Sequence, residues 1–390
     1  MTDRLDRLNA ALDRMARHPF YAGRVPARVA SEAEFAAAVP LLPKPDLQAE
    51  MAKPGHGAMR PQVPPVRVNM TPVPGGLMPV MSSRADMEAM IAACRSNLDA
   101  CRIGPGDVCL VTFGYHLFVA GLFYQTQMEA HGVACIPHGP GEPGRIAAIA
   151  RDLGVTVLAG NPSFALKAMA AGMPAPRVFF AGGEPFTGNR SLYAAVRAAM
   201  PDTHLIDAFS LSEVLPVGRT FPGGTGVHVF DEWVHAEVID PETGAPLPEG
   251  ERGELVLTHL GKELMPLLRY RTGDLTVLRT TDPVHGRTVN LPEVVMGRTD
   301  LMVKVKGVKF YPSEVARLLL GIDGLTGRYR VTLARKPAGG ESLALTLEGC
   351  ADPDALESLR AAFKAQTLLA PDAVETVEAL SDGPQLADNR

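Results

Sequence analysis

The chain is short of cysteine, has a single tryptophan, and nowhere carries a long apolar run. Its 5 cysteines, Cys94, Cys101, Cys109, Cys135 and Cys350, are odd in number and show no paired spacing. That fits reduced core thiols better than a disulfide framework or a zinc site. Cys94 and Cys101, seven positions apart, fall on one helical face. Apolar stretches such as 118–123 are far too short to span a bilayer. The opening residues Asp3, Arg4, Asp6 and Arg7 leave no room for the apolar core of a secretory signal, so the expectation is a cytoplasmic protein with no membrane partner. Positive charge is not in excess either. The formal net charge is -5 and the basic clusters are short, so no nucleic-acid partner is expected. Repeats and low-complexity tracts are missing, because the 34 prolines and 38 glycines are scattered as turn punctuation.

The composition is that of a globular protein, with 390 residues and a 46% hydrophobic share. That length suits two or three domains of about 100–200 residues, each with its own core. Residues 1–20 alternate charged and apolar positions with helical period, and Ser31 followed by Glu34 starts a second helix as a capping box. Between Pro40 and Pro79 prolines and glycines recur every few residues, so the stretch reads as a long loop. Ser83 and Asp86 then cap a helix running towards Cys101.

From Val108 onwards apolar runs at 108–113, 133–137, 155–159, 177–181 and 204–208 alternate with amphipathic stretches. This predicts an α/β fold with a doubly wound parallel sheet, whose ligands bind beyond the carboxyl ends of the strands. Gly182–Thr187 and Phe209–Glu213 fall at such ends. Residues 227–295 switch to short alternating strands joined by turns, a small antiparallel β unit. After Gly297 a strand pair at 301–310, a Ser313-capped helix, a strand at 329–334 and a last helix from about Asp354 make a small α+β domain. The expected division is a large N-terminal domain over 1–299 and a mobile C-terminal domain over 300–390.

One motif points elsewhere. Gly139-Pro-Gly141-Glu-Pro-Gly144 follows a predicted strand and opens a predicted helix, as a dinucleotide fingerprint does. The next strand ends in Ala159-Gly160-Asn161 without the acid that would hold a ribose, and two prolines remove amide donors from the turn. A dinucleotide-binding oxidoreductase is therefore a remote alternative.

A more specific set is Ala181-Gly-Gly-Glu184-Pro185, Asp207-Ala-Phe209-Ser210-Leu-Ser212-Glu213, Arg269-Tyr-Arg271-Thr-Gly-Asp274 and Gly297-Arg298-Thr-Asp300. In order and spacing it resembles phenylacetate-CoA ligases of the adenylate-forming superfamily, and the likeness runs from the Pro19-Phe-Tyr21 region to Phe310-Tyr-Pro-Ser-Glu314. It implies a ligase that activates a small aromatic carboxylic acid with ATP as acyl-AMP and passes the acyl group to CoA or another nucleophile. A homodimer would suit the family. The resemblance places AMP or ATP against Gly182, Gly183, Glu184, Pro185, Asp207, Phe209, Ser210, Ser212, Asp274, Arg298 and Lys304. Asp274 would accept from the ribose hydroxyls, as an ionised carboxylate can. It gives Glu213 the Mg²⁺ ion, a hard-oxygen task, and makes Glu213, Lys306 and Arg298 the catalytic set. Tyr115, His116, Phe118 and Phe209 would line the acyl pocket, His116 narrowing it where relatives carry glycine. Asp300 would be the hinge, at an element end where large dihedral changes are absorbed.

Two departures accompany the likeness. Where the family has a Ser/Thr/Gly-rich phosphate loop ending in Gly-Lys-Pro, this chain has Thr71-Pro-Val-Pro-Gly75-Gly76-Leu-Met-Pro79, with prolines in place of amide donors and no lysine. Each lost contact to a charged phosphate costs about 1.5–3 kcal/mol. The family's C-terminal lysine has no counterpart in Ser381–Arg390, and Arg390, Lys304, Lys306 or Lys309 would have to substitute. Both departures motivate the alternative of a non-adenylating relative that binds or transfers an acyl-adenylate or acyl-thioester.

Overall fold

The protein is represented by a computed structural model that describes residues 4–73, 76–299, 303–305, 308–310, 312, 315, 318–319, 322–336, 341–367, 369–381, 383 and 385–389. It separates into two compact units. One comprises Met1–Thr187, Leu192–Thr272 and Thr276–Val294, the other Gly188–Ser191, Gly273–Leu275 and Val295–Arg390.

The first unit opens with helices α1 (Arg4–Met15), α2 (Glu32–Ala38) and α3 (Lys44–Met51). Ser31 caps α2, its hydroxyl accepting the Glu34 N–H, but the expected box is not completed, because the Glu34 carboxylate accepts the Ala30 N–H and not that of Ser31. The stretch between Pro40 and Pro79 is not a loop. Besides α3 it holds strands β1 (Arg67–Val73) and β2 (Gly76–Ser82), an antiparallel hairpin registered from Arg67 opposite Ser82 to Val73 opposite Gly76. The prolines misled because they sit where regular structure tolerates them. Pro43 is the α3 N-cap with Pro45 in its first turn, and Pro72 and Pro79 lie on a ribbon whose two strands are both edges.

Helix α4 (Arg84–Ala100) follows, started by a complete Ser83–Asp86 capping box. Strand β3 (Val108–Val111), α5 (Ala120–Ala130), β4 (Ala134–Pro137), α6 (Pro143–Asp152), β5 (Val157–Gly160), α7 (Pro162–Ala170), β6 (Val178–Ala181), α8 (Arg190–Ala199) and β7 (His204–Phe209) then alternate. The five strands pair in parallel in the order β7-β6-β5-β3-β4. Every residue of β5 and β6 is buried, which is why they read as continuous apolar runs rather than alternating ones. Their core side includes Leu110, Leu158, Phe179 and Val196.

Part of the 227–295 segment extends this sheet instead of standing apart. Strands β8 (Gly218–Arg219) and β9 (Val227–Val229) and the hairpin Arg279–Val284/Arg287–Leu291 add antiparallel strands beyond β7. A separate antiparallel group is formed by β10 (Val234–Ile239), β11 (Arg252–His259) and β12 (Tyr270–Val277).

In the second unit Gly297–Arg298 pairs antiparallel with Leu275 and Asp274. Strands Val303–Val305 and Val308–Phe310 form the expected pair. A four-stranded sheet runs in the order Ala373–Val377, Glu341–Gly349, Leu325–Arg335, Leu386–Asn389. Helix Pro353–Thr367 adds Leu359 and Phe363 to a core with Val331, Leu333, Leu343 and Leu345. The expected Ser313 cap lies outside the described residues. Of the cysteines, all free, Cys94, Cys101 and Cys109 are buried, Cys135 is half-buried and Cys350 is exposed, so Cys350 is not a core thiol. No described helix is long and apolar enough to cross a membrane.

Candidate active site

The turn after β6 is held from three sides. Asn161, the N-cap of α7, donates its amide to the Gly182 carbonyl at 3.2 Å. Glu184 turns back to that helix, where its Oε1 accepts the Ser163 N–H at 2.7 Å and the Ser163 hydroxyl at 2.6 Å. Asp207 on β7 accepts the Thr187 N–H at 2.9 Å and its hydroxyl at 2.5 Å. Burial pushes the Asp207 carboxyl above its ordinary range, and the two Thr187 bonds work against that shift. Asp207 is thus engaged in fixing the turn.

The two glycines of the turn are required by space. A Cβ on Gly182 would stand 3.2 Å from the Ala208 carbonyl oxygen, and Gly183, at φ 81°, would put one 2.6 Å from Asn161 Nδ2. Both face the Phe113 ring, whose edge would lie 3.5 Å from either Cβ. Phe113 stacks on Tyr124 with centroids 5.1 Å apart. The result is a bare backbone turn beside an aromatic wall at the carboxyl end of a parallel sheet, with Gly183 and Pro185 exposed. Such a place admits a flat heterocycle close to the main chain. Phe113 and Asn161 were missed by sequence reasoning, although Asn161 was visible as the polar residue ending Ala159-Gly160-Asn161.

Beyond β7, Phe209 is buried, Ser210 donates its hydroxyl to the Phe209 carbonyl at 2.8 Å, and Ser212 is half-buried. Leu211 and Val214 exchange backbone hydrogen bonds, which closes the turn carrying Glu213. The Glu213 side chain is 3% exposed, and its Oε1 lies 3.1 Å from Lys44 Nζ and accepts the Tyr270 hydroxyl at 3.0 Å. Neither partner was singled out from the sequence.

The acyl-pocket candidates differ in burial. Tyr115 is half-buried, with a hydroxyl that has no hydrogen-bond partner among the described residues. Burial raises its pKa, reinforced by Cys135, Cys109 and Glu129. His116 and Phe118 are exposed, and the carbonyls of Leu117 and Phe118 accept from Asn69 on β1 at 3.3 and 3.1 Å. Among the described residues no ring contact or hydrogen bond joins Tyr115, His116 or Phe118 to Phe209.

In the second unit Arg298 Nη1 meets Asp274 Oδ1 at 2.8 Å, with the Asp274 side chain 4% exposed and that of Arg298 34%. Gly273 allows this, since a Cβ there would stand 3.0 Å from the Arg298 guanidinium. Lys304 is described only as a strand residue paired with Lys309. Asp300 and Lys306 lie outside the described residues.

Comparison with known proteins fits this geometry. A family model described as AMP-binding enzyme matches residues 79–265, a span that contains the glycine turn and Glu213. A phenylacetate-coenzyme A ligase of Thermus thermophilus is 31% identical over 265 residues, covering 65% of this chain and 59% of that protein. One from Aromatoleum evansii is 32% identical over 238 residues, 57% of this chain and 52% of the relative. The chain therefore spans between half and three fifths of these relatives' length. Among solved structures, 2-hydroxyisobutyryl-CoA ligase in the postadenylation state with 2-HIB-AMP superposes with a TM-score of 0.82 at 23% identity, over 99% of this chain and 89% of that one. The amide bond synthetase McbA from Marinactinospora thermotolerans gives a TM-score of 0.59 at 20% identity, over 83% of this chain and 67% of that one. These structural likenesses establish the fold.

Proposed function

We propose that this chain is a phenylacetate-CoA ligase-like member of the adenylate-forming superfamily, and that it activates a small aromatic carboxylic acid with ATP as its acyl-AMP and then passes the acyl group to CoA or another nucleophile. The observation that carries the reading is the glycine turn at 182–187, pinned by Asn161, Ser163 and Asp207 beside Phe113. In the first step a carboxylate oxygen of the acid attacks the α-phosphorus, and the bond to the β-phosphate oxygen breaks to release pyrophosphate. In the second a thiol attacks the acyl carbonyl, loses its proton and expels AMP.

The residues carry this chemistry by position and charge more than by acid–base work. Gly182, Gly183, Glu184 and Pro185 receive the base, with Asp207 holding the turn in place, while Phe209, Ser210 and Ser212 border the nucleotide and the acyl group. Asp274 takes the ribose hydroxyls, and Arg298, its ion-pair partner, turns to the phosphate. Lys304 and Lys306 supply further cations, Asp300 is the hinge between 1–299 and 300–390, and Tyr115, His116 and Phe118 select the acid. The reading makes the protein cytoplasmic, with a homodimer as its assembly.

A resident Mg²⁺ on Glu213 does not fit the residues present. The carboxylate already has an ammonium and a phenol on Oε1, and among the described residues no group of three His, Cys, Asp or Glu could hold a metal. No step is routed through such an ion.

A second reading, binding or transfer of a ready-made adenylate or thioester, is favoured by one observation. Where a phosphate cradle is expected, β1 and β2 pair as a ladder up to Val73 and Gly76, and Pro72 and Pro79 offer no amide donor. The pair of readings is separated by acid-dependent ATP–pyrophosphate exchange over a panel of aryl and heteroaryl acids, with AMP binding by calorimetry alongside. Exchange above background supports the ligase. AMP binding without exchange supports the transferase or binder, and absence of both exchange and AMP binding would make the site assignment untenable.

A further inference from the structure

Lys44 reaches Glu213 because the chain before it is stitched to the strand that carries Tyr270. The Leu42 N–H donates to the Arg269 carbonyl and the Arg271 N–H to the Leu42 carbonyl, both at 2.9 Å, which makes Leu42 a parallel bridge partner of Tyr270. Two residues on, Lys44 begins α3, whose Leu47 and Met51 are buried and whose entry is stiffened by Pro43 and Pro45. One bridge therefore delivers both groups that meet Glu213 Oε1, the Lys44 ammonium at 3.1 Å and the Tyr270 hydroxyl at 3.0 Å. Glu213 needs such partners, since a carboxylate 3% exposed is costly to bury unpaired. The Lys44 side chain is itself 33% exposed and its ammonium lies against Oε1, so a cation binding at that oxygen would have to displace or repel it.

We propose that Lys44 is the built-in cation of this site: it occupies the face of Glu213 that a divalent ion would use, so that the protein binds an adenosine monophosphate group without a divalent metal. The inference rests on the reading of the glycine turn and Glu213 as an adenylate site. Two cations a few ångströms apart repel, so Lys44 and a metal ion exclude one another at that oxygen. Lys44 acts through Glu213 and by charge, which makes it a positioning residue.

The test uses the full chain and Mn²⁺ as a paramagnetic probe for the metal, with free ion followed by electron paramagnetic resonance and no nucleotide present. Wild type and Glu213→Gln should take up Mn²⁺ equally poorly. Lys44→Met should gain a site at least about tenfold tighter, which Lys44→Met/Glu213→Gln loses again, while Lys44→Arg behaves as wild type. In parallel, AMP affinity of wild type should be equal in EDTA and in Mg²⁺, whereas Lys44→Met should weaken about tenfold in EDTA and recover in Mg²⁺. Glu213-dependent Mn²⁺ uptake by wild type, or no gain in Lys44→Met, overturns the proposal. If the Mn²⁺ pattern holds and AMP does not bind at all, the adenylate reading fails while the competition between Lys44 and metal stands.

Discussion

Replacing Asp86 by asparagine is the sharpest test of how the first unit is held together near the candidate site. Asp86 is fully buried and does two jobs with one carboxylate. Its Oδ2 accepts the Ser83 N–H at 2.9 Å, completing the α4 capping box, and also the Leu264 N–H at 3.2 Å. Its Oδ1 accepts the Glu263 N–H at 2.6 Å. The carboxylate thus ties the end of β2 to the segment that precedes β12. Lys262 is buried and its ammonium is pushed down by desolvation, and the Asp86 charge opposes that shift. An amide has one acceptor atom. If it faces Ser83 and Leu264, its NH₂ is set against the Glu263 N–H, so one charge-assisted bond worth about 1.5–3 kcal/mol is lost and that donor is orphaned. The other two bonds lose their charge, and Lys262 loses its nearby opposing charge, which brings the total to about 3–5 kcal/mol. At about 2–3 °C per kcal/mol for a unit of this size, the first thermal transition of Asp86→Asn should fall by about 6–15 °C in calorimetry. A loss below about 1 kcal/mol would refute the reasoning, since that is the range of an ordinary surface change.

Three further outcomes are expected. Gly183→Ala should destabilise by about 1–3 kcal/mol, because alanine is strained at φ 81° and its Cβ meets Asn161; AMP affinity should drop with it, and unchanged calorimetric binding would remove the turn from the nucleotide site. Acid should weaken the fold below pH 6.5. Burial, aided by Arg4, Arg269 and Arg7, lowers the His235 pKa to about 3, so between that value and about 6.5 the unfolded chain binds the extra proton and stability falls by up to about 1.4 kcal/mol per pH unit. Above pH 7 this contribution is fully retained, His259 is shifted the same way, and a melting profile of His235→Phe that overlays wild type would contradict the assignment. Ellman's reagent should label Cys350 and, more slowly, Cys135 in the native protein, with Cys94, Cys101 and Cys109 reacting only in denaturant; rapid native labelling at Cys109 would show that β3 is more open than its burial implies.

The parallel sheet was legible because each central strand, buried on both faces, is a short unbroken apolar run between turn residues, as in Val157–Gly160 and Val178–Ala181. The helix caps at Ser31 and Ser83 were legible because capping chemistry is local. Helix α3 and the β1–β2 hairpin were not. Proline density reads as loop, although proline is allowed at a helix N-terminus and on a strand edge, and only pairing partners elsewhere decide between these. The same limit explains the site. The glycine turn and the Phe209–Glu213 segment could be located from strand ends, whereas Lys44 and Tyr270 lie far from Glu213 in sequence and carry no local signal of meeting it.

What distinguishes the two halves of the candidate site is the kind of constraint each is under. The glycine turn at 182–187 is fixed by backbone geometry: a glycine at positive φ, a second glycine against a carbonyl, and side-chain bonds from Ser163, Asn161 and Asp207. Few substitutions satisfy all of these at once, so the turn keeps its form as long as anything flat must lie against it. The hairpin is under no such constraint. Once its strands pair up to Val73 and Gly76, proline, leucine and methionine serve a two-stranded ribbon as well as serine, threonine and lysine would serve phosphates. If the turn receives the base and the hairpin no longer serves phosphates, as proposed, one demand on the charge at Glu213 remains, that it be balanced, and Lys44 meets it from within the fold.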